Sequence, residues 1–314
     1  MTVQVGDRPI LGIALMLGFV ITGPLIDVFA KLATASIPVG QIALVRFALQ
    51  SLFLFPVIWV LGRWITPTGR DLCLYVLRGF LILVSTLLIV GAVKYMPVAD
   101  AIAIVFVEPL FLTVLGKYVL KETIGWRRMA ASAVGFVGCL LVVQPSFEAF
   151  GWVAFLPLGT AVAFGFYLLL TRSMTQRIDP LLLQANTGLA AFLLAFPVIF
   201  AFYGTGNTVF DPVMPEGRFI WFLLMVGVAA TISHIFLSYA IRITPTAVIA
   251  PTQYLEIVTA AIVGYFIFND LLNGLALVGA IIIVASGLYV FWREQITARA
   301  AKQSGTLPDT AQAP

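Results

Sequence analysis

The segment Phe55-Pro56-Val57-Ile58 recurs in the second half of the chain as Phe196-Pro197-Val198-Ile199. Matches among Leu, Ile and Val carry little weight, because apolar sequences share a small alphabet. Matches of Pro, Gly and charged residues carry more. With one longer loop, the same alignment pairs Lys31 with Arg172, Lys94 with Arg242, Pro97 with Pro245, Glu108 with Glu256, and Gly116 with Gly264. The recurrence predicts that the two halves arose by duplication and share one fold.

The composition of the chain indicates a membrane protein. Of its 314 residues, 61% are hydrophobic and only 10% are charged, whereas a soluble domain carries about 25% charged residues. The basic residues lie in short gaps between apolar runs, so the net charge of +4 does not indicate nucleic-acid binding. Cys73 and Cys139 lie in apolar context and give neither a disulfide framework nor the spacing of metal ligands.

The apolar runs of the chain are long enough to be membrane spans, since a spanning helix needs about 20 mostly apolar residues. Charges, prolines and glycines divide the chain into ten such runs, and most gaps between them are short. The predicted spans are residues 10–32, 37–62, 72–94, 98–118, 125–143, 151–171, 180–203, 219–241, 246–267 and 272–292.

Each half contains five predicted spans, which is an odd number, so the second half enters the membrane from the side opposite to the first. Such inverted-topology repeats occur in many secondary transporters, which bind substrate near the midplane between the repeats. The sequence therefore predicts an all-α integral membrane protein whose ten transmembrane helices form two inverted five-helix repeats.

The distribution of Lys and Arg predicts the orientation of the spans, because cytoplasmic loops carry an excess of both residues. We place the N-terminal residues 1–9 in the cytoplasm. Apart from two arginines within spans, the outer side then holds only three of the 18 Lys and Arg residues, namely Lys31, Lys94 and Arg218. Both termini are predicted to be cytoplasmic in a multi-pass protein of the inner (cytoplasmic) membrane.

Short motifs occur at similar places in the two halves. In the first half they are Tyr95-Met96-Pro97-Val98-Ala99-Asp100-Ala101, Glu108-Pro109-Leu110, Lys121-Glu122-Thr123 and Gly135-Phe136-Val137-Gly138. In the second half they are Thr244-Pro245-Thr246-Ala247, Asn269-Asp270 and the glycines from Gly279 to Gly287. Together with the ten-span pattern, these motifs resemble the drug/metabolite transporter superfamily and, within it, the EamA-domain transporters. Asn269-Asp270 departs from the family's usual Gly-Glu.

The resemblance implies one EamA-type repeat at 10–145 and a second at 150–292. The polar composition of residues 293–314 predicts a disordered cytoplasmic tail. The resemblance also implies proton-linked or exchange transport of small metabolites. The walls of the cavity would come from the third, fourth, eighth and ninth spans, with no enzyme activity and no cofactor. The segment from Ala250 to Glu256, following Ser233-His234, looks like the branch that contains S-adenosylmethionine uptake and riboflavin importers.

Glu108 and Glu256 lie near the middle of their predicted spans, at equivalent positions of the two halves. A charge at the centre of a spanning helix costs about 2.5–3.5 kcal/mol on insertion scales, so it marks a functional site or a pair. Each glutamate is a candidate for carrying a proton or binding substrate, or else a buried neutral group or structural pair. Pro109 and Pro251 are predicted to kink their helices beside the cavity and expose backbone carbonyls, unless they are ordinary kinks.

Arg46 lies near the middle of the second predicted span and needs a partner there. Glu108 is the predicted partner, and a substrate carboxylate or phosphate is the alternative. Arg78 lies nearer the end of the third span, from where its side chain can extend to the interface, and it is a second candidate for contacting substrate. Asp27 and Lys31 share a helix face at four-residue spacing and are predicted to pair with each other.

His234 is the only histidine in the chain. It is a candidate proton relay, and the alternative is a side chain that packs and forms hydrogen bonds. Gln253 and Tyr254 lie close to Glu256 in sequence and are predicted to line the cavity. Small residues at Ala131, Gly135 and Cys139 share one helix face, which permits close packing either within the chain or in a homodimer.

The chain lacks the Gly-x-x-x-x-Gly-Lys-Ser/Thr loop that binds nucleotide phosphates. A gradient or exchange must therefore drive transport, and the sequence predicts a secondary transporter in the lipid bilayer that carries a small molecule, with protons as a candidate coupling ion. The alternatives are a passive channel or a lipid scramblase. An intramembrane enzyme is disfavoured, because one histidine and no set of metal ligands leave few groups for catalysis. Neither a metal nor a nucleic acid is expected to bind.

Overall fold

The computed structural model describes residues 8–108, 110–111, 126–244, 252–270 and 274–303. We number the α-helices of these residues α1 to α10 in chain order. They are α1 (Pro9–Ala33), α2 (Val39–Val60), α3 (Gly69–Val93), α4 (Val98–Val105), α5 (Trp126–Phe150), α6 (Leu156–Thr175), α7 (Pro180–Ala201), α8 (Arg218–Ile243), α9 (Leu255–Phe268) and α10 (Gly274–Gln303), with a 3-10 turn at Gly151–Phe155 between α5 and α6.

Local sequence signals set several of the helix ends. Thr68 and Asp71 form a reciprocal capping box at the start of α3, and Asp179 caps α7 by accepting a hydrogen bond of 2.9 Å from the backbone N–H of Leu181. Such caps satisfy amides that have no partner within the helix. At the end of α9, Asn269 adopts the left-handed conformation with a φ of 57°, which terminates the helix.

Six stretches of the described residues are long and apolar enough to cross a membrane. One of them, Met129–Thr175, covers two of the predicted spans, because α5, the 3-10 turn and α6 follow one another without a break. Residues 255–268 and 274–289 form two shorter apolar helices. The molecule is thus an all-helical, multi-pass membrane protein over the part of the chain that is described.

The predicted junction between the repeats, at 145–150, falls within the continuous helix α5, where Pro145 is accommodated and the hydroxyl of Ser146 donates a hydrogen bond of 2.9 Å to the carbonyl of Val142. One predicted boundary differs from the structure, at the C-terminal end. The tail was predicted to be disordered from 293, but α10 continues to Gln303. Glu, Gln, Ala, Arg and Lys dominate this extension and all favour helix.

The helices pack in pairs that reflect the sequence repeat. The extensively packed pairs are α1 with α8, α5 with α10, α2 with α7, α3 with α6, α3 with α7, and α2 with α8, and α4 also packs on α9. Exchanging each helix with the one five places along the chain leaves this set unchanged. The aligned residues Phe106 and Tyr254 even contact each other, with ring centroids 5.4 Å apart. The main apolar core lies between the halves and includes residues of α1, α4, α8 and α9.

Candidate functional site

A cavity lies between the two halves. It has about 690 Å³ of empty volume, including its open mouth. Its walls come from α1, α2, α3, α6 and α8, and from the residues in and next to α4 and α9. The lining residues are Phe19, Gly23, Ile26, Asp27, Arg46, Ile82, Ser85, Thr86, Ile89, Ile102, Val105, Phe106, Glu108, Thr160, Phe164, His234, Gln253 and Glu256.

Among the described residues, three with carboxyl groups line this cavity, namely Asp27, Glu108 and Glu256. Glu108 is only 5% exposed, and Glu256 packs against α1. A Cβ atom added at Gly23 would lie 2.8 Å from Oε1 of Glu256, so glycine leaves the space that this carboxyl fills. None of the three carboxyls forms a hydrogen bond or an ion pair with any residue that the structure describes.

Arg46 is the cation among the described residues that line the cavity, and it is 4% exposed. Its Nη1 donates a hydrogen bond of 2.6 Å to Thr86 Oγ1, and its Nη2 lies 2.7 Å from Nε2 of His234. Its Nε has no hydrogen-bond partner among the described residues. The predicted pair with Glu108 is therefore wrong: over the described residues, Arg46 binds neutral groups from α3 and α8 and no carboxylate.

The contacts of His234 assign its tautomer. A guanidinium can only donate hydrogen bonds, so Nε2 of His234 must accept the bond from Arg46. The proton then lies on Nδ1, which is 3.2 Å from the hydroxyl oxygen of Tyr167. The imidazole is thus neutral in this arrangement and links the cavity to the buried Tyr167.

Arg78 does not line the cavity, in contrast to its predicted role. Its side chain is fully buried rather than extended to the interface. It donates hydrogen bonds to Thr171 (3.0 Å), to Tyr167 (2.7 Å), to the carbonyl of Leu183 and, at short distance, to Thr187. It also lies over the ring of Tyr167, 4.3 Å from the centroid. Arg78 therefore joins α3 to α6 and α7 and contributes no group to the cavity wall.

Of the other two candidates near Glu256, one lines the cavity and one does not. Gln253 lines the cavity. Tyr254 does not; it is 6% exposed and packs on Phe106. The predicted kinks at Pro109 and Pro251 lie outside the described residues.

Asp27 is the cavity residue whose role the sequence did not reveal. It was predicted to pair with Lys31, but Lys31 instead binds Asp270 at 2.8 Å and the carbonyl of Met96 at 3.2 Å. Phe19, Gly23 and Asp27 follow one another at four-residue spacing and all line the cavity. This spacing on one helix face was the available signal.

Known transport proteins resemble this chain in sequence over most of its length. The chain is 25% identical over 284 residues to a protein named S-adenosylmethionine uptake transporter from Rickettsia prowazekii, covering 90% of this chain and 93% of that protein. It is 24% identical over 256 residues to a protein named riboflavin transporter from Vibrio cholerae, covering 81% and 83% of the two chains.

A solved crystal structure has the same fold, with a TM-score of 0.61 at 15% sequence identity over 87% of this chain and 94% of that one. The sequence profile of the EamA-like transporter family matches residues 10–144 and 151–292, which together are most of the chain. This protein is a membrane transporter rather than an enzyme, and it belongs to the EamA-like transporter family.

Proposed function

We propose that this protein is a secondary active transporter that moves a small metabolite across the cytoplasmic membrane by alternating access. In this proposal ten spans form two inverted repeats, 10–145 and 150–292, and both termini are cytoplasmic. The excess of Lys and Arg on one side and the exchange symmetry of the helix pairs support this topology.

One observation carries the proposal: a cavity with ionisable walls lies where the two halves meet. Inverted repeats place substrate at such an interface, and the cavity opens to either side when one half moves against the other.

Glu108 and Glu256 are the proposed carriers of protons or of substrate charge. They occupy aligned positions, they line the same cavity, and no described residue pairs with either carboxyl. A carboxyl with no partner in the protein is free to bind a proton or a substrate group when water reaches it. Coupling to protons and exchange of one substrate for another both fit this arrangement.

Transport into proteoliposomes tests the proposal. We would reconstitute the full chain and measure uptake of labelled S-adenosylmethionine and riboflavin, with an imposed pH gradient and separately with unlabelled substrate inside. The expected result is accumulation of one compound above its outside concentration. Uptake that stops at equal concentrations would indicate a passive channel, and absence of uptake would contradict a transport function for these compounds.

Substitutions at the two glutamates test their role. Glu108→Gln and Glu256→Gln should each lower gradient-driven accumulation while part of the exchange activity remains, because the amide cannot carry a proton but preserves the shape of the side chain. Glu148→Gln is the matched control, since Glu148 lies on the exposed face of α5. Gradient-driven uptake at the wild-type rate in both cavity variants would exclude them as proton carriers.

A further inference from the structure

Asp27 and Glu256 lie next to each other along α1. The carboxyl of Glu256 packs against α1 at Gly23, where a Cβ atom would lie only 2.8 Å from its Oε1. Asp27 follows Gly23 by four residues, which is about one turn, and faces the same cavity. The charges of Asp27 and Glu108 both act on Glu256, and the charge of Arg46 acts on Asp27 without a direct contact between the two side chains. Asp27 and Glu256 thus line the same part of the cavity wall, beside α1, and Glu108 is near enough for its charge to act on Glu256.

Among the described lining residues, acidic groups outnumber cations. Asp27, Glu108 and Glu256 are acidic, Arg46 is the cation, and the hydrogen bonds of His234 make it neutral. Glu108 is only 5% exposed, and its carboxyl has no partner among the described residues. An unpaired carboxylate in a low-dielectric site is costly and takes up a proton instead, and a positively charged ligand in the cavity would stabilise the ionised form.

The side chains that line the cavity favour an organic cation over a metal ion. Over the described residues, no three His, Cys, Asp or Glu side chains are close enough to hold one metal ion. Much of the wall is apolar instead, with contributions from Phe19, Phe106 and Phe164. A bulky ligand can fill that volume and place a fixed charge beside α1.

Asp27 breaks the symmetry of the repeat, whereas the two glutamates follow it. The alignment that pairs Lys31 with Arg172 places Leu168 opposite Asp27. Asp27 is therefore an addition to one half rather than part of the shared framework. Its carboxyl is not engaged by Lys31, which binds Asp270.

We propose that the cavity selects a ligand that carries a fixed positive charge, and that the carboxylate of Asp27 makes this selection. The proposal rests on the transport function proposed above and specifies its substrate class. It also explains why Asp27 lines the cavity without a hydrogen bond or an ion pair to any described residue.

A matched pair of compounds tests the proposal on the purified full chain. S-Adenosylmethionine carries a sulfonium cation, and S-adenosylhomocysteine has an uncharged thioether at the same place with the adenosine and amino-acid groups retained. We expect the wild type to bind the sulfonium compound about tenfold or more tightly, because the carboxylate of Asp27 attracts the sulfonium charge and not the neutral thioether. Asp27→Asn should remove this preference by weakening sulfonium binding while the affinity for the thioether stays unchanged.

Two further variants keep the test decisive. Asp27→Glu retains the charge and should retain the preference, and Glu148→Gln, on the exposed face of α5, should behave as wild type. Unchanged thioether binding by Asp27→Asn reports that this variant is folded. Equal affinities of the wild type for both compounds, or a preference that survives in Asp27→Asn, would overturn the proposal.

The outcomes separate this inference from the proposed function. Accumulation of riboflavin by a protein that binds neither adenosyl compound would overturn the cation selection and leave the transport function standing. A sulfonium preference that depends on Asp27, in a protein that accumulates none of these compounds in proteoliposomes, would support the selection and count against transport.

Discussion

Arg78 and Arg46 are both buried arginines, yet their surroundings give them different roles. Arg78 is enclosed by neutral acceptors on α6 and α7 and makes four hydrogen bonds to them. Arg46 lines the cavity, makes two hydrogen bonds, and its Nε has no partner among the described residues. A guanidinium offers five donors in a fixed plane, so the number that neighbours occupy decides whether the residue holds the fold or faces a ligand.

Replacing Arg78 should therefore destabilise the protein without changing what it binds. In Arg78→Met the hydroxyls of Thr171 and Thr187 and that of Tyr167 lose a donor in a fully buried place. Losing such bonds costs about 1–3 kcal/mol for each group left unpaired. Thermal unfolding of the purified variant should occur at a clearly lower temperature, with the ligand affinity of the surviving folded protein unchanged.

The control for this variant is Arg172→Gln, because Arg172 is exposed in the last turn of α6. It should unfold at the wild-type temperature. Wild-type stability of Arg78→Met together with lost ligand binding would instead assign Arg78 to the substrate site.

At the scale of helices, α5 and α10 approach until their backbones touch. A Cβ atom added at Gly138 would lie 2.9 Å from the carbonyl oxygen of Gly279 and 2.8 Å from Ile282. Small residues permit this distance in membrane proteins, where association depends on close packing rather than on the hydrophobic effect. Within the chain, Gly138 and Gly279 thus let α5 and α10 pack closely.

Gly138→Ala should separate α5 from α10. The contact is with backbone, which cannot move aside as the end of a flexible side chain can, so the helices must shift and lose packing at a cost of about 1–3 kcal/mol. The matched control is Gly264→Ala on α9, where an added Cβ meets nothing within 4 Å. Thermal unfolding should be lowered in the first variant only, and equal unfolding temperatures would contradict the packing role.

Across the whole molecule, ion pairs join the two halves at both ends of the bundle. Lys31 at the end of α1 binds Asp270 after α9 at 2.8 Å. At the opposite end, Arg177 binds Asp71 at 2.5 Å and Arg63 binds Asp179 at 3.3 Å. Each of these pairs takes one residue from each half. A transporter that opens its two ends in turn must break the ion pairs at one end while those at the other end remain.

We therefore expect Lys31 and Asp270 to influence the rate of transport as a pair. Lys31→Gln and Asp270→Asn should each slow uptake, and the double variant should be less impaired than the two single effects combined. The coupling should be about 1 kcal/mol, since both side chains are partly exposed and solvent screens the pair. Initial uptake rates of the four proteins give this value, and strictly additive effects would show that the pair does not act as a unit.

The sequence alone determined the class of the protein and much of its architecture. Long apolar runs require lipid as a solvent, and paired Pro and Glu residues reveal the repeat, because these properties are local or periodic along the chain. The same reasoning identified Glu108, Glu256, Arg46, His234 and Gln253, all of which line the cavity. An ionisable residue within an apolar run stands out without knowledge of its neighbours.

Only the tertiary structure decided which charges meet. Lys31 binds Asp270 rather than Asp27, and Arg46 binds Thr86 and His234 rather than Glu108. Asp27 is thereby left facing the cavity, and Arg78 is enclosed among α3, α6 and α7. Contacts between residues far apart in sequence depend on how the two halves pack together. Spacing along one helix reports which face a residue occupies but not which helix covers that face.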